Sequence, residues 1–245
     1  MQRLSLSEVT VRDQAEAIPA QPMIEIPPLE TGDHLTRAEF ERRYKLHPEI
    51  KKAELIEGVV YVASPVHVPH GEPHLYIGGW VTYYLAATPG LRAVDNTSIV
   101  LNQKNEYQPD ISVWIDETFG GQSRVGANQM LEGAPELAIE IAASSASIDL
   151  KTKKKVYQRH GVREYIVLLA HEREIRWFVL QQGEYQALMA DEDGILRSRN
   201  FPGLWFEEKS FWARDLAQMF AVLQQGLTTP EHAEFVTQLN ARRRA

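Results

Sequence analysis

A chain of 245 residues with 44% hydrophobic and 24% charged side chains can bury a large core and has the composition of an ordinary globular domain. Its formal net charge of −7 argues against a protein that coats nucleic acid through bulk positive charge, so phosphate binding would have to rest on a local basic patch. The absence of cysteine excludes disulfides and thiolate metal sites; any metal must rest on carboxylates, imidazoles, carbonyls or water, which points to hard cations.

Residues 1–30 carry Pro19, Pro22, Pro27 and Pro28 without sustained periodicity and are expected to form a flexible N-terminal arm. They lack the apolar core of a signal peptide, and no run of about 18 apolar residues follows, so a cytoplasmic protein is expected. The main domain is expected over 31–225, with a helical tail over 226–245 that ends in the arginine cluster "ARRRA". Thr36, with Glu39 at capping-box spacing, predicts a short helix. "KAELIEGVVYVASP" (52–65) predicts a hairpin turning at Glu57 and Gly58. His67, His70 and His74 then fall in a stretch broken by Pro69 and Pro73 that reads as a polar loop. A helix is predicted over 73–90, although Gly78 and Gly79 weaken it, and strands are predicted in "NTSIVLN" and "YQPDISVWID". A Gly-rich loop, "GGQSRVGANQMLEG", separates these from a further strand, "PELAIEIAA", and a basic helix beginning near Asp149. "EYIVLLA" and "EIRWFVLQQGEYQALMA" predict meander strands, and "KSFWARDLAQMFAVLQQG" predicts one amphipathic helix. The order suggests an α/β (α+β mixed) domain with a central mixed sheet flanked by helices.

Chemistry concentrates where polar groups interrupt apolar patterns. In "PELAIEIAA", Leu137, Ile139 and Ile141 share one face, and Ala138, Glu140 and Ala142 the other, so Glu140 stands in a strand greasy on both sides. An ionised carboxylate there costs several kcal/mol by order of magnitude unless a metal cation, a basic side chain or a proton meets it. Asp110 begins another apolar strand after Pro109, on the face it shares with Ser112 and Trp114. If the two strands are neighbours, Asp110 and Glu140 converge, and a divalent cation is one resolution of their repulsion. At about 100° per residue, Lys153 falls on the apolar face of the basic helix with Leu150, Val156 and Tyr157, whereas Lys151, Lys155 and Arg159 lie on the far side. Asp149, Lys153 and Tyr157 share one stripe, and Ser144, Ser145 and Ser147 are candidate N-caps.

These residues resemble the Uma-type restriction endonuclease-like family of the PD-(D/E)XK nuclease superfamily, over roughly residues 31–225. The matching motifs are "ELIEG" (54–58), a histidine at 70 or 74, Pro109 with Asp110, and "EIAA" followed by Ser144 and Ser145. The longest is Asp149, Lys153, Tyr157, Gly161, Val162, Glu164 and Tyr165 at the family spacing. Within the superfamily a lysine stands two residues after the strand glutamate; here that position is Ala142, and the resemblance moves the lysine to Lys153. Ala143 and Leu169 replace a usual serine and aspartate, neither of them a presumed metal ligand. The resemblance implies Mg²⁺- or Mn²⁺-dependent hydrolysis of DNA, possible as a homodimer. Glu54, Asp110 and Glu140 would hold the metal with a carbonyl near Ile141; Lys153 would stabilise charge or position water, and Tyr157 would orient its neighbours. Lys151, Lys154, Lys155, Arg159 and His70 are candidates for the DNA backbone. Two other classes compete: a catalytically degenerate module that binds nucleic acid or a protein partner, and a structural domain in which Glu140 and Lys153 form a core ion pair.

Overall fold

In the computed structural model, which describes residues 26–243, Thr36 accepts a hydrogen bond from Glu39 N and starts α1 (Arg37–Leu46). Most of the expected N-terminal arm, residues 1–25, lies outside the described residues, as do the last two residues of the terminal arginine cluster. Leu29 is buried with Phe40, Leu55 and Val60. The hairpin β1 (Ala53–Ile56) and β2 (Val59–Val62) turns at Glu57 and Gly58, both at positive φ, the conformation a tight two-residue turn requires.

The second helix, α2, runs Val68–Ala87 and begins earlier than the sequence pattern indicated. His70 and His74 therefore lie in its first two turns, not in a loop. Pro69 is tolerated near the N-terminus, where backbone N–H groups have no partner in any case; Pro73 lies further in. A Cβ added at Gly78 or Gly79 would lie 3.9 Å from Ile111 or 3.6 Å from Phe220, and this packing outweighs the weak helix propensity. β3 (Leu91–Asp95), β4 (Ile99–Asn102), β5 (Asn105–Tyr107) and β6 (Ile111–Ile115) follow. The Gly-rich stretch is not all loop: it contributes the two-residue strands β7 (Arg124–Val125) and β8 (Leu131–Glu132). β9 (Leu137–Ala142) leads into a π-helical turn, Ile148–Lys153, continued by α3 (Lys154–His160).

β10 (Glu164–Leu169), β11 (Glu174–Gln181) and β12 (Glu184–Ala187) form the expected meander. A small hairpin, β13 (Ile195–Arg197) with β14 (Trp205–Glu207), precedes the C-terminal helices. The predicted amphipathic helix is two helices, α4 (Glu208–Ala213) and α5 (Leu216–Leu227), and α6 spans Pro230–Arg242. Arg214 takes a left-handed φ of 61° between α4 and α5, and the Asp215 side chain caps α5 through Gln218 N. No helix among the described residues is long and apolar enough to cross a membrane.

The central sheet has the order β12-β11-β10-β9-β6-β3, with β9 and β10 parallel and the other pairs antiparallel. One face carries Ile111, Val113, Ile139 and Ile166 against Trp80 of α2 and Met219 of α5. The other carries Ala138, Ala142, Tyr165 and Val167 against Tyr107 of β5 and Val156 and Tyr157 of α3. A second mixed sheet, β2-β1-β5-β4-β8-β7, lies on this side. Glu140 sits between Ala138 and Ala142, so its side chain enters the seam between the two sheets.

Candidate active site

The register of β6 and β9 pairs Ile111 with Ile139, so Asp110, one residue earlier, comes opposite Glu140 and shares its face. Asp110 is buried; its Oδ2 accepts from Ile141 N at 2.8 Å and its Oδ1 from Lys52 Nζ at 2.7 Å. Lys52 Nζ also donates to Asn96 Oδ1 at 3.2 Å. β1 carries Glu54 to the same seam, where Glu54 Oε1 accepts from Gln108 N at 2.8 Å.

Lys153 is buried among three carboxylates: its Nζ lies 2.8 Å from Glu54 Oε2, 3.0 Å from Glu140 Oε1 and 3.4 Å from Asp149 Oδ1. The π-helical turn helps to place it, because Lys154 N reaches back five residues to Asp149 O. Tyr157 OH donates to Glu140 Oε1 at 3.1 Å, and Ser145 Oγ donates to Asp149 Oδ2 at 2.5 Å. Ser147 makes no side-chain cap bond.

Charge does not balance in this cluster. Glu54, Asp110, Glu140 and Asp149 bring four carboxylates, against the two ammonium groups of Lys52 and Lys153. Burial, against the pull of Lys153 and helped by Asp149, pushes the Glu140 carboxyl up to about 8. Burial also raises Asp149. At Lys153 burial opposes the charge, but Glu140, Glu54 and Asp149 outweigh it and hold the ammonium protonated well above its usual range. At Asp110 burial is likewise outweighed, here by Lys52 and His70, which keep the carboxyl below its ordinary value. A proton on one carboxyl or a divalent cation would relieve the excess, and carboxylate oxygens are the donors that a hard cation prefers.

His70 also faces the seam: Nδ1 lies 2.9 Å from Ile141 O and Nε2 3.6 Å from Asp110 Oδ1. His70, His74 and Asp110 each offer a ligand atom within 4.8 Å of the others. Lys151 and Lys155 are exposed, and with Glu57, Thr152, Val156 and Arg159 they line a shallow depression. Arg159 Nη2 pairs with Glu57 Oε1 at 2.7 Å, whereas Lys154 Nζ lies 3.7 Å above the Phe178 ring. Ala142 and Leu169 are core residues on the Tyr157 side of the sheet.

Sequence reasoning placed Glu54, Asp110, Glu140, Lys153 and Tyr157 as candidates, and the structure brings all five into the seam. It missed Lys52, whose signal was the i, i+2 alternation that puts it on the Glu54 side of β1. It left His70 and His74 as alternatives in a polar loop, because Pro69 and Pro73 masked the helical i, i+4 spacing that brings both together.

The profile of the Uma2 family, described as "Putative restriction endonuclease", matches residues 37–236. A crystal structure from Anabaena variabilis, described as "a putative nuclease belonging to DUF820", is similar with a TM-score of 0.53 and 17% identity, covering 77% of this chain and 99% of that one. That likeness speaks for the fold. Comparison with curated proteins gives no match. With its profile spanning most of the chain, the protein belongs to the Uma2 restriction endonuclease-like family.

Proposed function

We propose that the protein is a divalent-metal-dependent endonuclease that hydrolyses DNA phosphodiester bonds. The observation that carries this reading is the excess of carboxylates over lysines in the seam between the sheets. Asp110, Glu140 and Glu54 would hold Mg²⁺ or Mn²⁺. When bound, such an ion polarises the scissile phosphate and lowers the pKa of an attacking water. Lys153, which donates to Glu140, would offset charge building on a phosphate oxygen, and Tyr157 would hold the Glu140 carboxyl in place. Lys151, Lys155 and Arg159 offer exposed charge to the DNA backbone, which gives affinity without sequence preference. Cutting both strands takes two sites, so double-strand cleavage calls for a homodimer.

The test is a cleavage assay on plasmid, linear, single-stranded and branched DNA with Mg²⁺, Mn²⁺ or EDTA. Cleavage is expected with either metal, to be lost in EDTA and in Asp110→Ala and Glu140→Ala variants that keep their circular-dichroism spectra. Cleavage surviving both substitutions sinks the reading. The internal lysine contacts favour a second one: with Lys52 on Asp110 and Lys153 on Glu140, the oxygens are partly neutralised without metal, as in a binding module that has lost catalysis. Salt-dependent DNA binding without calorimetric uptake of Mg²⁺ or Mn²⁺ would favour that alternative.

A further inference from the structure

We propose that His70, His74 and Asp110 form a second cation position, which takes a first-row transition ion such as Zn²⁺ or Co²⁺ in preference to Mg²⁺. Nitrogen is the distinguishing donor. Imidazole suits borderline transition ions, whereas Mg²⁺ prefers oxygen and water. His70 and His74 stand four residues apart on α2, the spacing that turns two imidazoles to one side of a helix, and their rings lie 5.7 Å apart.

His70 is prepared for such a role. Its Nδ1 faces the Ile141 carbonyl at 2.9 Å, and because a carbonyl only accepts, that nitrogen carries the proton. Nε2, which in the neutral ring keeps its lone pair for a cation, lies 3.6 Å from Asp110 Oδ1. That separation is close to the roughly 3.4 Å that two ligands of a tetrahedral zinc show. A backbone carbonyl that fixes the imidazole tautomer is the usual support behind a metal-ligating histidine. Lys52 occupies Asp110 Oδ1 at 2.7 Å but also touches Asn96 Oδ1 at 3.2 Å, so it has an acceptor to retreat to when a cation arrives. The position shares Asp110 with the site proposed for DNA cleavage. Its part in cleavage rests on that reading; its occupancy does not.

The test is a titration of the untagged full-length chain with Co²⁺, followed by visible absorption, and with Zn²⁺ and Mg²⁺, followed by calorimetry. One Co²⁺ with a tetrahedral-type spectrum is expected, displaced by Zn²⁺ at stoichiometric concentration and not by a hundredfold excess of Mg²⁺. His74→Ala and the milder His74→Gln should each weaken Co²⁺ binding at least about tenfold while keeping the wild-type unfolding midpoint. Glu140→Gln should keep the Co²⁺ spectrum. An unchanged Co²⁺ affinity in both His74 variants, or displacement of Co²⁺ by Mg²⁺ at comparable concentration, overturns the proposal. Loss of the spectrum in Glu140→Gln overturns it as well, because the ion would then sit among the carboxylates alone. Metal-supported cleavage without a histidine-dependent spectrum defeats this inference alone; the spectrum without cleavage defeats only the nuclease reading.

Discussion

Lys153 answers three buried carboxylates with one ammonium, and removing it would leave them facing each other. Lys153→Met is expected to destabilise the fold by about 3–5 kcal/mol in urea unfolding, with part of the loss recovered on adding Mg²⁺. No recovery would mean that the carboxylates do not take the ion. Helical periodicity made this lysine legible: the sequence pattern turned it inward while its neighbours faced out. Lys52 was not legible in the same way, because a lysine before a short strand is ordinarily solvated and its partner Asp110 is 58 residues away. Glu164 shows the reverse case, a motif residue whose task is structural. Its carboxylate accepts from Trp177 Nε1, Ser198 Oγ, Arg199 N and Asn200 N. Glu164→Ala strands several buried donors and should cost about 3 kcal/mol or more, read as a lowered melting temperature.

Elements with strong periodicity were read correctly in kind, and those whose limits depend on a single backbone conformation were not. The pattern across "KSFWARDLAQMF" continues smoothly over Arg214, so the break between α4 and α5 was hidden; Asp215 as an N-cap was the available signal. β7 and β8 are too short to carry a pattern, and only their pairing with each other and that of β8 with β4 define them. Close approach sets a further local rule. A Cβ on Gly226 of α5 would lie 2.3 Å from Gly203 O and 2.8 Å from Trp205 Cγ. Gly226→Ala is therefore expected to cost about 1–3 kcal/mol by overpacking, lowering the denaturation midpoint.

At the scale of the whole molecule, the central sheet was legible because its strands are apolar on both faces, whereas the second sheet is assembled from short strands far apart in sequence. Its own buried acid carries a pH dependence. Burial, then the neighbouring Glu41 carboxyl, raises the pKa of Glu106 to about 7. The folded state thus holds a proton that the unfolded state has released, and stability falls as pH rises from about 4.5 through 7. Glu106→Gln should remove that loss, gaining up to about 3 kcal/mol on wild type at pH 8 and little at pH 4.5, checked by urea unfolding at both values. Glu54 reaches the seam from the second sheet, while Asp110 and Glu140 come from the central one. On the nuclease reading, a partial opening that parts the sheets would scatter the carboxylates while the central sheet persists. Under mild urea, the chain should fall silent as an enzyme before its secondary structure melts.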